Sequence, residues 1–260
     1  MPHNLHKRLN RETVDTLASG EDIDALKFSS ATLSDDAITL LGFQRTKQIS
    51  RKARKSWEAG NPVPLRQEAR ARREEIFDGT LLECYREYLP LRDHLLEHGF
   101  TPKTIIDIGC GQAIPDLFLQ RDFKPHFTLV DIEQTTEQYH FWADSGSGYA
   151  SLEDARVLLH DNGAAKTKVK TINPTKDPAA MEGLGADMVT SFYSCGFHYP
   201  VDDYADLMIQ TIRAGGVVCV DLRKRYLKRH GPGLDAVMAE GRMDVLYDDA
   251  RSQRVLLRAA

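Results

Sequence analysis

Short apolar runs and amphipathic stretches alternate through residues 101–260 of the chain. Five of the runs have the length of strands buried on both faces of a parallel sheet, and most of their residues are β-branched or aromatic. These runs lie at 104–108, 127–130, 169–172, 188–191 and 217–222. Stretches with helical periodicity lie between them, at 115–120, 151–160 and 201–214. The alternation predicts right-handed βαβ units and a parallel sheet.

The end of the chain has a different pattern. Two further apolar runs, 243–247 and 254–258, are separated only by the short polar segment 248–253. Such spacing predicts an antiparallel hairpin. The predicted fold is therefore α/β, with a doubly wound, mostly parallel seven-stranded sheet that ends in an antiparallel C-terminal hairpin.

Residues 1–100 have little strand character and favour helices. Ser34, followed by two acids, has the pattern of a helix N-cap. The residues Ile38, Leu41, Ile49, Ala53 and Trp57 could share one face of the helix that follows. After a Gly/Pro-rich break at 60–64, a second helix is predicted to about residue 76 and a third from about 80 to 97, with Leu96 on its apolar side. We therefore expect a helical N-terminal extension, 1–100, that caps an α/β domain, 101–260.

Composition and charge narrow the class of protein. The chain has 260 residues, of which 42% are hydrophobic and 28% charged, and this is enough to fold without disulfides or structural metals. A net charge of -4 argues against affinity of the whole protein for nucleic acid or anionic lipid. The four cysteines form no CxxC pair, which favours a reduced, cytoplasmic protein. No apolar run approaches the roughly 20 residues of a membrane span, and the N-terminus lacks the apolar core of a signal peptide.

A glycine turn after the first predicted strand carries the main chemical signal. The strand ends in Asp107 and is followed by Gly109, Cys110 and Gly111, and then by a helix. Glycine allows the sharp turn and the close approach of a ligand. The next predicted strand ends in an acid, Asp131, which lies 22 residues beyond Gly109. A carboxylate at this position can accept hydrogen bonds from both ribose hydroxyls of an adenosine.

The same residues restrict the kind of adenosine compound. The third glycine of the dinucleotide fingerprint GxGxxG is absent, because position 114 is Ile. Asp107 would disfavour a pyrophosphate but favour an ammonium or sulfonium group. A cationic adenosine compound without phosphates therefore fits best, and S-adenosylmethionine has this chemistry. A nicotinamide oxidoreductase fits least.

At this point the sequence resembles the class I methyltransferase family, over roughly residues 101–260. The matching segments are the glycine loop 107–113, Asp131, the predicted fourth strand 186–191, the turn and strand 213–221, and the C-terminal hairpin. Ala113 stands where the family often has a third glycine. The resemblance implies S-adenosylmethionine as cofactor, with Asp107 near the methionine amino group and Asn173 near the adenine. The implied cofactor-binding set is Asp107, Gly109, Cys110, Gly111, Asp131, Ile132, Asn173 and Ser191.

The loop after the fourth predicted strand should face the transferred methyl group, because ligands of open α/β sheets bind at the carboxyl ends of the strands. Within this loop Tyr193 and Tyr199 are predicted to line the acceptor pocket. His198 has two open interpretations, a general base for a hydroxyl acceptor or a structural histidine bonded to the loop backbone. The run 194–200 is also similar to bacterial proteins described as sugar O-methyltransferases. We therefore expect metal-independent O-methylation of a small or saccharide-like hydroxyl.

Two alternatives stay open. Ten Lys or Arg side chains between Arg45 and Arg73, against two acids, could bind RNA, which would make the chain an RNA methyltransferase. A solvated helix face balanced by acids elsewhere is the favoured interpretation of this run, so a small-molecule acceptor is preferred to RNA. A protein that keeps the fold without turnover is the other alternative. The helices could also form a homodimer contact through Ile49 and Trp57.

Overall fold

The computed structural model describes residues 26–45, 47–133 and 150–260. The part of the predicted extension before residue 26 lies outside the described residues. Seven strands form one sheet in the order β3-β2-β1-β4-β5-β7-β6. They are β1 (Thr104–Ile108), β2 (His126–Val130), β3 (Val169–Ile172), β4 (Met188–Ser191), β5 (Val217–Arg223), β6 (Arg242–Asp248) and β7 (Ser252–Arg258). The predicted fold class is confirmed.

Strands β1 to β5 are parallel, and only β7 pairs antiparallel, with β5 on one side and β6 on the other. Strand β1 has β2 on one side and β4 on the other, so the chain changes direction across the sheet between β1 and β4. A crevice forms outside the carboxyl ends of the strands at such a switch point, where ligands of open α/β sheets bind. The fold therefore places the site of interest beyond Ile108 and Ser191.

Helices cover both faces of the sheet. Those before the sheet are α1 (Asp35–Gln44), α2 (Arg51–Glu58), α3 (Val63–Ala71) and α4 (Arg73–Glu97). Those after β1 are α5 (Ile114–Phe123), α6 (Leu152–Asp161), α7 (Ala205–Arg213), α8 (Lys224–Leu227) and α9 (Pro232–Ala239). Residues of α7 and α9 pack on the face that carries Ile106 and Ile108, whereas α4, α5 and α6 pack on the face that carries Ile105.

The N-terminal helices share a hydrophobic core with the sheet. Buried residues of α1 to α4 belong to the same cluster as Ile105 and the α5 and α6 side chains. At its centre the Tyr88 ring stacks on Phe118 of α5 at a centroid distance of 5.5 Å. Tyr85 lies 5.3 Å from the same Phe118 ring. These helices thus form part of the layer that buries one sheet face.

The predicted boundaries within the N-terminal helices need correction. The predicted face from Ile38 to Trp57 is divided between α1 and α2, because the helix stops at Gln44 and Ser50 caps a new one by accepting a bond from the Ala53 N–H. The later break falls at Arg72 rather than at 77–79, so α4 is one helix of 25 residues. Leu96 is 59% exposed, and its neighbour Leu95 is the buried residue.

No helix in the described part of the chain combines the length and the apolar character needed to cross a bilayer.

Candidate functional site

The turn between β1 and α5 holds three residues in the left-handed backbone region. Gly109 has φ 71°, Gly111 has φ 56° and Ala113 has φ 57°. The Gly109 N–H donates to the Val130 carbonyl oxygen over 2.7 Å, which ties the turn to the end of β2. Ala113 adopts a conformation that is strained for a residue with a Cβ, at the position that directly precedes α5.

The two glycines of the turn have different surroundings. A Cβ on Gly109 would lie 1.7 Å from the Ser194 Oγ, because the loop after β4 packs directly on this residue. A Cβ on Gly111 would meet nothing within 4 Å. Open space therefore lies in front of Gly111, where a ligand could approach the backbone.

Asp131 follows β2 and is held by the same turn. One of its carboxylate oxygens accepts the Gly111 N–H and the other accepts the Ile132 N–H, each over 2.7 Å. Each oxygen has a second lone pair, so the carboxylate can still accept two hydroxyl donors. Burial raises the pKa of Asp131 to about 7, against the effect of these two N–H bonds, which lower it. This carboxylate beside the open space at Gly111 fits the ribose of an adenosine.

Asp107 lies beneath the turn rather than at its surface. Its side chain is buried, and one oxygen accepts the Thr190 hydroxyl over 2.7 Å. Burial raises the pKa of Asp107 to about 6. Its neighbour Asp116, in the first turn of α5, is fully buried, and burial together with Asp107 raises the pKa of Asp116 well above its usual value. Both Asp116 oxygens are buried without a hydrogen bond among the described residues, which favours the neutral form of Asp116 beside Asp107.

The adenine side of the predicted site is formed by residues after β2 and β3. The Asn173 side chain is buried, and its Oδ1 accepts both the N–H and the hydroxyl of Thr175, over 3.1 and 2.7 Å. Its Nδ2 donates to Glu133 over 3.4 Å. Glu133 also pairs with Lys176 at 2.7 Å. Asn173 thus orders the loop after β3 next to Ile132, near the carboxyl end of β2.

Ser191 ends β4 and has an internal role. Its hydroxyl donates to the Ile108 carbonyl over 2.8 Å and accepts the Cys195 N–H over 2.9 Å. Both contacts are buried, and they join the ends of β1 and β4 at the switch point. Beyond it the Ser194 hydroxyl donates to the Tyr199 hydroxyl over 2.9 Å, so both side chains cover Gly109.

Tyr193 points away from Tyr199, toward the N-terminal helices. It has φ 53°. Its N–H donates to Asp221 over 3.2 Å, and the Arg45 guanidinium lies 5.5 Å from its ring centroid. Arg45 in turn pairs with Glu87 of α4 at 2.9 Å, and burial followed by the Glu87 charge raises the pKa of Tyr193. Tyr193 therefore lies in a charged cluster between the helices and the sheet.

Asp221 of β5 belongs to the same charged cluster and pairs with Arg254 of β7. The Arg254 guanidinium bonds both carboxylate oxygens of Asp221, over 2.8 and 2.7 Å, and also donates to the Glu87 carbonyl. Both side chains are at most 4% exposed. A bidentate pair of this kind fixes the relative positions of β5, β7 and α4.

His198 lies in the turn that covers the glycine loop. Its N–H donates to the Ser194 carbonyl over 2.7 Å, and its ring makes an edge contact with Phe197 at 5.2 Å. Phe197 also makes an edge contact with Tyr193 at 5.1 Å. The structure thus brings His198, Tyr193 and Tyr199 into one loop at the switch point, with Tyr193 and Tyr199 directed to opposite sides.

Most of the basic N-terminal run is neutralised by acids. Seven of its ten cations pair with Asp or Glu side chains among the described residues: Arg45, Lys47, Arg54, Arg66, Arg70, Arg72 and Arg73. Asp35 alone accepts two of them. This pairing agrees with a charge-balanced helix face.

Sequence reasoning found the turn and Asp131 but missed Asp116, Thr190 and the Arg45–Glu87–Asp221–Arg254 cluster. Asp116 could have been predicted from the sequence, because it lies in the first turn of the helix that follows the strand ending near Asp107. The cluster joins residues that are far apart in the chain, so no local sequence pattern predicts it. In the described ranges, no group of three or more His, Cys, Asp or Glu side chains is arranged to hold a metal ion.

Comparisons with known proteins find similar solved structures at low sequence identity. No protein-family model matches the sequence, and no curated protein matches it. Solved structures similar to it include an O-methyltransferase family protein from Burkholderia thailandensis, with 14% identity, TM-score 0.44, and coverage of 75% of this chain and 63% of that one. The methyltransferase domain of a bacterial Hen1 has 14% identity, TM-score 0.45, and coverage of 66% and 97%. A ribosomal protein L11 methylase from Lactobacillus delbrueckii subsp. bulgaricus has 13% identity, TM-score 0.43, and coverage of 69% and 80%.

The fold itself is a seven-stranded, mostly parallel sheet with an antiparallel C-terminal pair and helices on both faces.

Proposed function

We propose that the chain is an S-adenosylmethionine-dependent methyltransferase that methylates a hydroxyl of a small or saccharide-like acceptor without a metal ion. One observation carries the proposal. The Asp131 carboxylate, held by the Gly111 and Ile132 N–H groups, borders open space at a left-handed glycine at the switch point. Two hydroxyls of a ribose match the two free lone pairs of that carboxylate.

The charges at the site favour a cationic cofactor. Asp131 and the Asp107–Asp116 pair place carboxyl groups around the turn. The nearby cations Lys176, Arg45 and Arg254 are already paired with Glu133, Glu87 and Asp221. A pyrophosphate would be repelled there, whereas the sulfonium and ammonium groups of S-adenosylmethionine would be stabilised. The bound cofactor supplies an electrophilic methyl group. The protein's part is to align the acceptor with that group and to take up the hydroxyl proton.

Calorimetric titration with S-adenosylhomocysteine and with NAD tests the cofactor. We expect saturable binding of S-adenosylhomocysteine and none of NAD. Asp131→Asn should weaken the binding by about tenfold or more, because charge-assisted hydrogen bonds become neutral ones. The control Asp161→Asn changes an exposed acid at the end of α6 and should leave the affinity unchanged. Equal affinity for both ligands would contradict the proposal.

His198 is proposed as the base that takes the acceptor proton. It is a partly exposed imidazole in the loop that covers the glycine turn, and an imidazole titrates near pH 6.5 in an unperturbed setting. With saturating cofactor and acceptor, the single-turnover rate should rise as pH increases through the imidazole pKa. His198→Ala should lower the rate and remove that pH dependence. A variant that kept the rate and its profile would leave His198 with a structural role only.

A small acceptor is preferred to RNA because most of the basic run pairs with acids of the same helices. RNA binding would also weaken steeply with rising salt, whereas binding of a neutral small acceptor would change little. Methyl transfer from labelled cofactor to pools of small hydroxyl compounds and of RNA, at low and high salt, separates these acceptors. A chain that binds cofactor but methylates neither pool would be a binding protein.

A further inference from the structure

Three arginines from two segments meet at the carboxyl end of β5. Arg223 is the last residue of β5, Arg225 lies in α8 and Arg251 immediately precedes β7. The antiparallel pairing places Ser252 opposite Arg223, and the Lys224 N–H donates to the Arg251 carbonyl over 2.9 Å. The strand register therefore fixes the two segments side by side.

Arg223 is anchored to the loop that covers the glycine turn. Its guanidinium carbon lies 4.0 Å from the centroid of the Phe197 ring, and its backbone N–H donates to the Gly196 carbonyl over 3.1 Å. Stacking uses the face of a guanidinium and leaves its edge N–H donors free to bind an anion. The ring thus holds Arg223 in one orientation with its hydrogen-bonding edge available.

Two of these arginines, Arg223 and Arg251, carry guanidinium groups that are not engaged in an ion pair with any acidic side chain among the described residues. Burial, and then the charges of Arg225 and Arg251, lower the pKa of Arg223. Like charges held this close repel one another, and an anion bound between them would remove that cost.

The position relative to the turn indicates which ligand the anion belongs to. Phe197 lies in the same loop as Ser194 and Tyr199, which contact Gly109 from the β4 side. Asp131 and the open space at Gly111 lie on the β2 side of the turn. An anion at Arg223 therefore lies on the side of the loop away from the ribose subsite, where the acceptor would enter.

We propose that Arg223 and Arg251 bind a carboxylate or phosphate monoester on the acceptor whose hydroxyl is methylated. This inference rests on the proposed function and narrows its substrate class to an anionic acceptor. The cluster is compact, because Lys224 pairs with Asp248 at 2.6 Å and the Asp249 carboxylate, which accepts the Arg251 backbone N–H over 2.6 Å, bounds it on the turn side. A single anionic group fits such a cluster better than an RNA backbone, which needs an extended cationic surface.

The test follows the arginine side-chain N–H signals of the full-length, 15N-labelled protein by NMR, with S-adenosylhomocysteine present. Inorganic phosphate, glucuronate and neutral methyl glucoside are titrated separately. The Arg223 and Arg251 signals are identified by their loss in Arg223→Met and Arg251→Met. We expect saturable shifts with phosphate or with glucuronate, and the better ligand of the two identifies the anionic group. Methyl glucoside should give none.

In Arg223→Met, the affinity for the better anion, measured from the Arg251 signals, should fall by about tenfold or more. Arg223→Lys should be intermediate, because it keeps the charge but loses the planar fork. Lys170→Met, on the far edge strand β3, removes the same charge and should behave as the unaltered protein. Thermal melting of each variant checks folding, and Arg251→Met, at an exposed turn, gives a second test should Arg223→Met fold poorly.

Unsaturable shifts with both anions, or the same loss in Lys170→Met, would overturn the inference. Tighter binding of a short single-stranded RNA, weakened alike by Arg223→Met and by Arg51→Met in the N-terminal basic run, would overturn it in favour of nucleic acid. Calorimetry with S-adenosylhomocysteine on the same samples keeps the two proposals separate. Cofactor binding without an arginine response rejects only the anion site, and the reverse result rejects the proposed cofactor.

Discussion

At the scale of single residues, the buried environment of Asp131 affects both the proposed cofactor affinity and the stability of the free protein. Burial beside the turn raises its pKa to about 7, so the free protein holds a proton there that a solvated carboxylate would release. In the proposed site, the ionised form is the one that would accept two ribose hydroxyls. Cofactor binding and the stability of the free protein should therefore depend on pH in related ways.

The affinity for S-adenosylhomocysteine should increase as pH rises through about 7, with uptake of the ligand releasing up to one proton below that pH. Calorimetry at about pH 6 and about pH 8, in buffers of different ionisation enthalpy, measures both effects. Asp131→Asn should remove the pH dependence together with most of the affinity. An affinity that is flat with pH in the unaltered protein would show that Asp131 does not contact the ligand as an anion.

The stability of the free protein should change in the opposite direction. The folded-state pKa of Asp131 lies above the unfolded value of about 4, so the stability that this group contributes is present at low pH and lost as pH rises toward 7. Asp131→Asn should therefore unfold at a higher urea concentration than the unaltered protein near pH 8 and not near pH 4.

A comparison of Gly111 with a glycine outside the turn distinguishes the effect of backbone strain from the effect of ligand contact. Gly111 and the remote Gly163, after α6, both have positive φ, and a Cβ on either meets nothing within 4 Å. Replacement by Ala should cost each about 1–2 kcal/mol of stability, because the left-handed conformation is strained for alanine. Only Gly111→Ala should also lower the affinity for S-adenosylhomocysteine, because the added Cβ would occupy the space proposed for the ligand. Equal affinities of the two variants, measured by calorimetry, would place the ligand elsewhere.

At the scale of elements, the sequence pattern located each of the seven strands of the described sheet, because strands buried on both faces must be short apolar runs. Strands β1, β3 and β4 begin and end where predicted, and the other four differ by one or two residues. The helix breaks were predicted less well. Arg72 separates α3 from α4 with no proline, glycine or side-chain cap, and Gly79 continues within α4 beside the Gln48 side chain. These features depend on tertiary packing and have no local signal.

The same distinction applies to the site. The glycine turn and Asp131 are local motifs at strand ends, and the sequence pattern placed them together. The orientation of Tyr193 depends on Arg45 and Glu87, which are more than a hundred residues away in the chain. The sequence indicated that Tyr193 belongs to the loop, but not that it faces α1 and α4 while Tyr199 covers Gly109.

The buried Arg254–Asp221 pair joins β7 to β5. Loss of one partner should destabilise the fold more than loss of both. Arg254→Met leaves the Asp221 carboxylate buried without its partner, which should cost about 3–5 kcal/mol. The double variant Arg254→Met/Asp221→Leu removes both charges and should recover most of that loss. Urea denaturation measures the free energies of unfolding. Additive losses in the double variant would show that the pair does not act as a unit.

At the scale of the whole molecule, the N-terminal helices and the sheet bury each other. The sheet face that carries Ile105 is covered by α4, α5 and α6, and the Tyr85 and Tyr88 rings of α4 lie against Phe118. The Arg254 contact with the Glu87 carbonyl adds a polar link across the same boundary. The loop after β4 also contacts these helices through Tyr193. The glycine turn, this loop and the helical layer are therefore parts of one packing arrangement.

A chain that begins at Thr101 should consequently fail to fold by itself, although it contains all seven strands and the glycine turn. Removing α1 to α4 exposes the Phe118 side of the core to water, and the lost burial of many apolar side chains, at about 1.5–3 kcal/mol each, exceeds the stability of a typical domain. We expect no cooperative thermal transition for this fragment. Mixing it with a fragment of residues 1–100 should restore a transition and S-adenosylhomocysteine binding, which controls for damage to the sheet itself. A sharp transition and normal affinity in the shorter chain would instead make the helices an independent appendage.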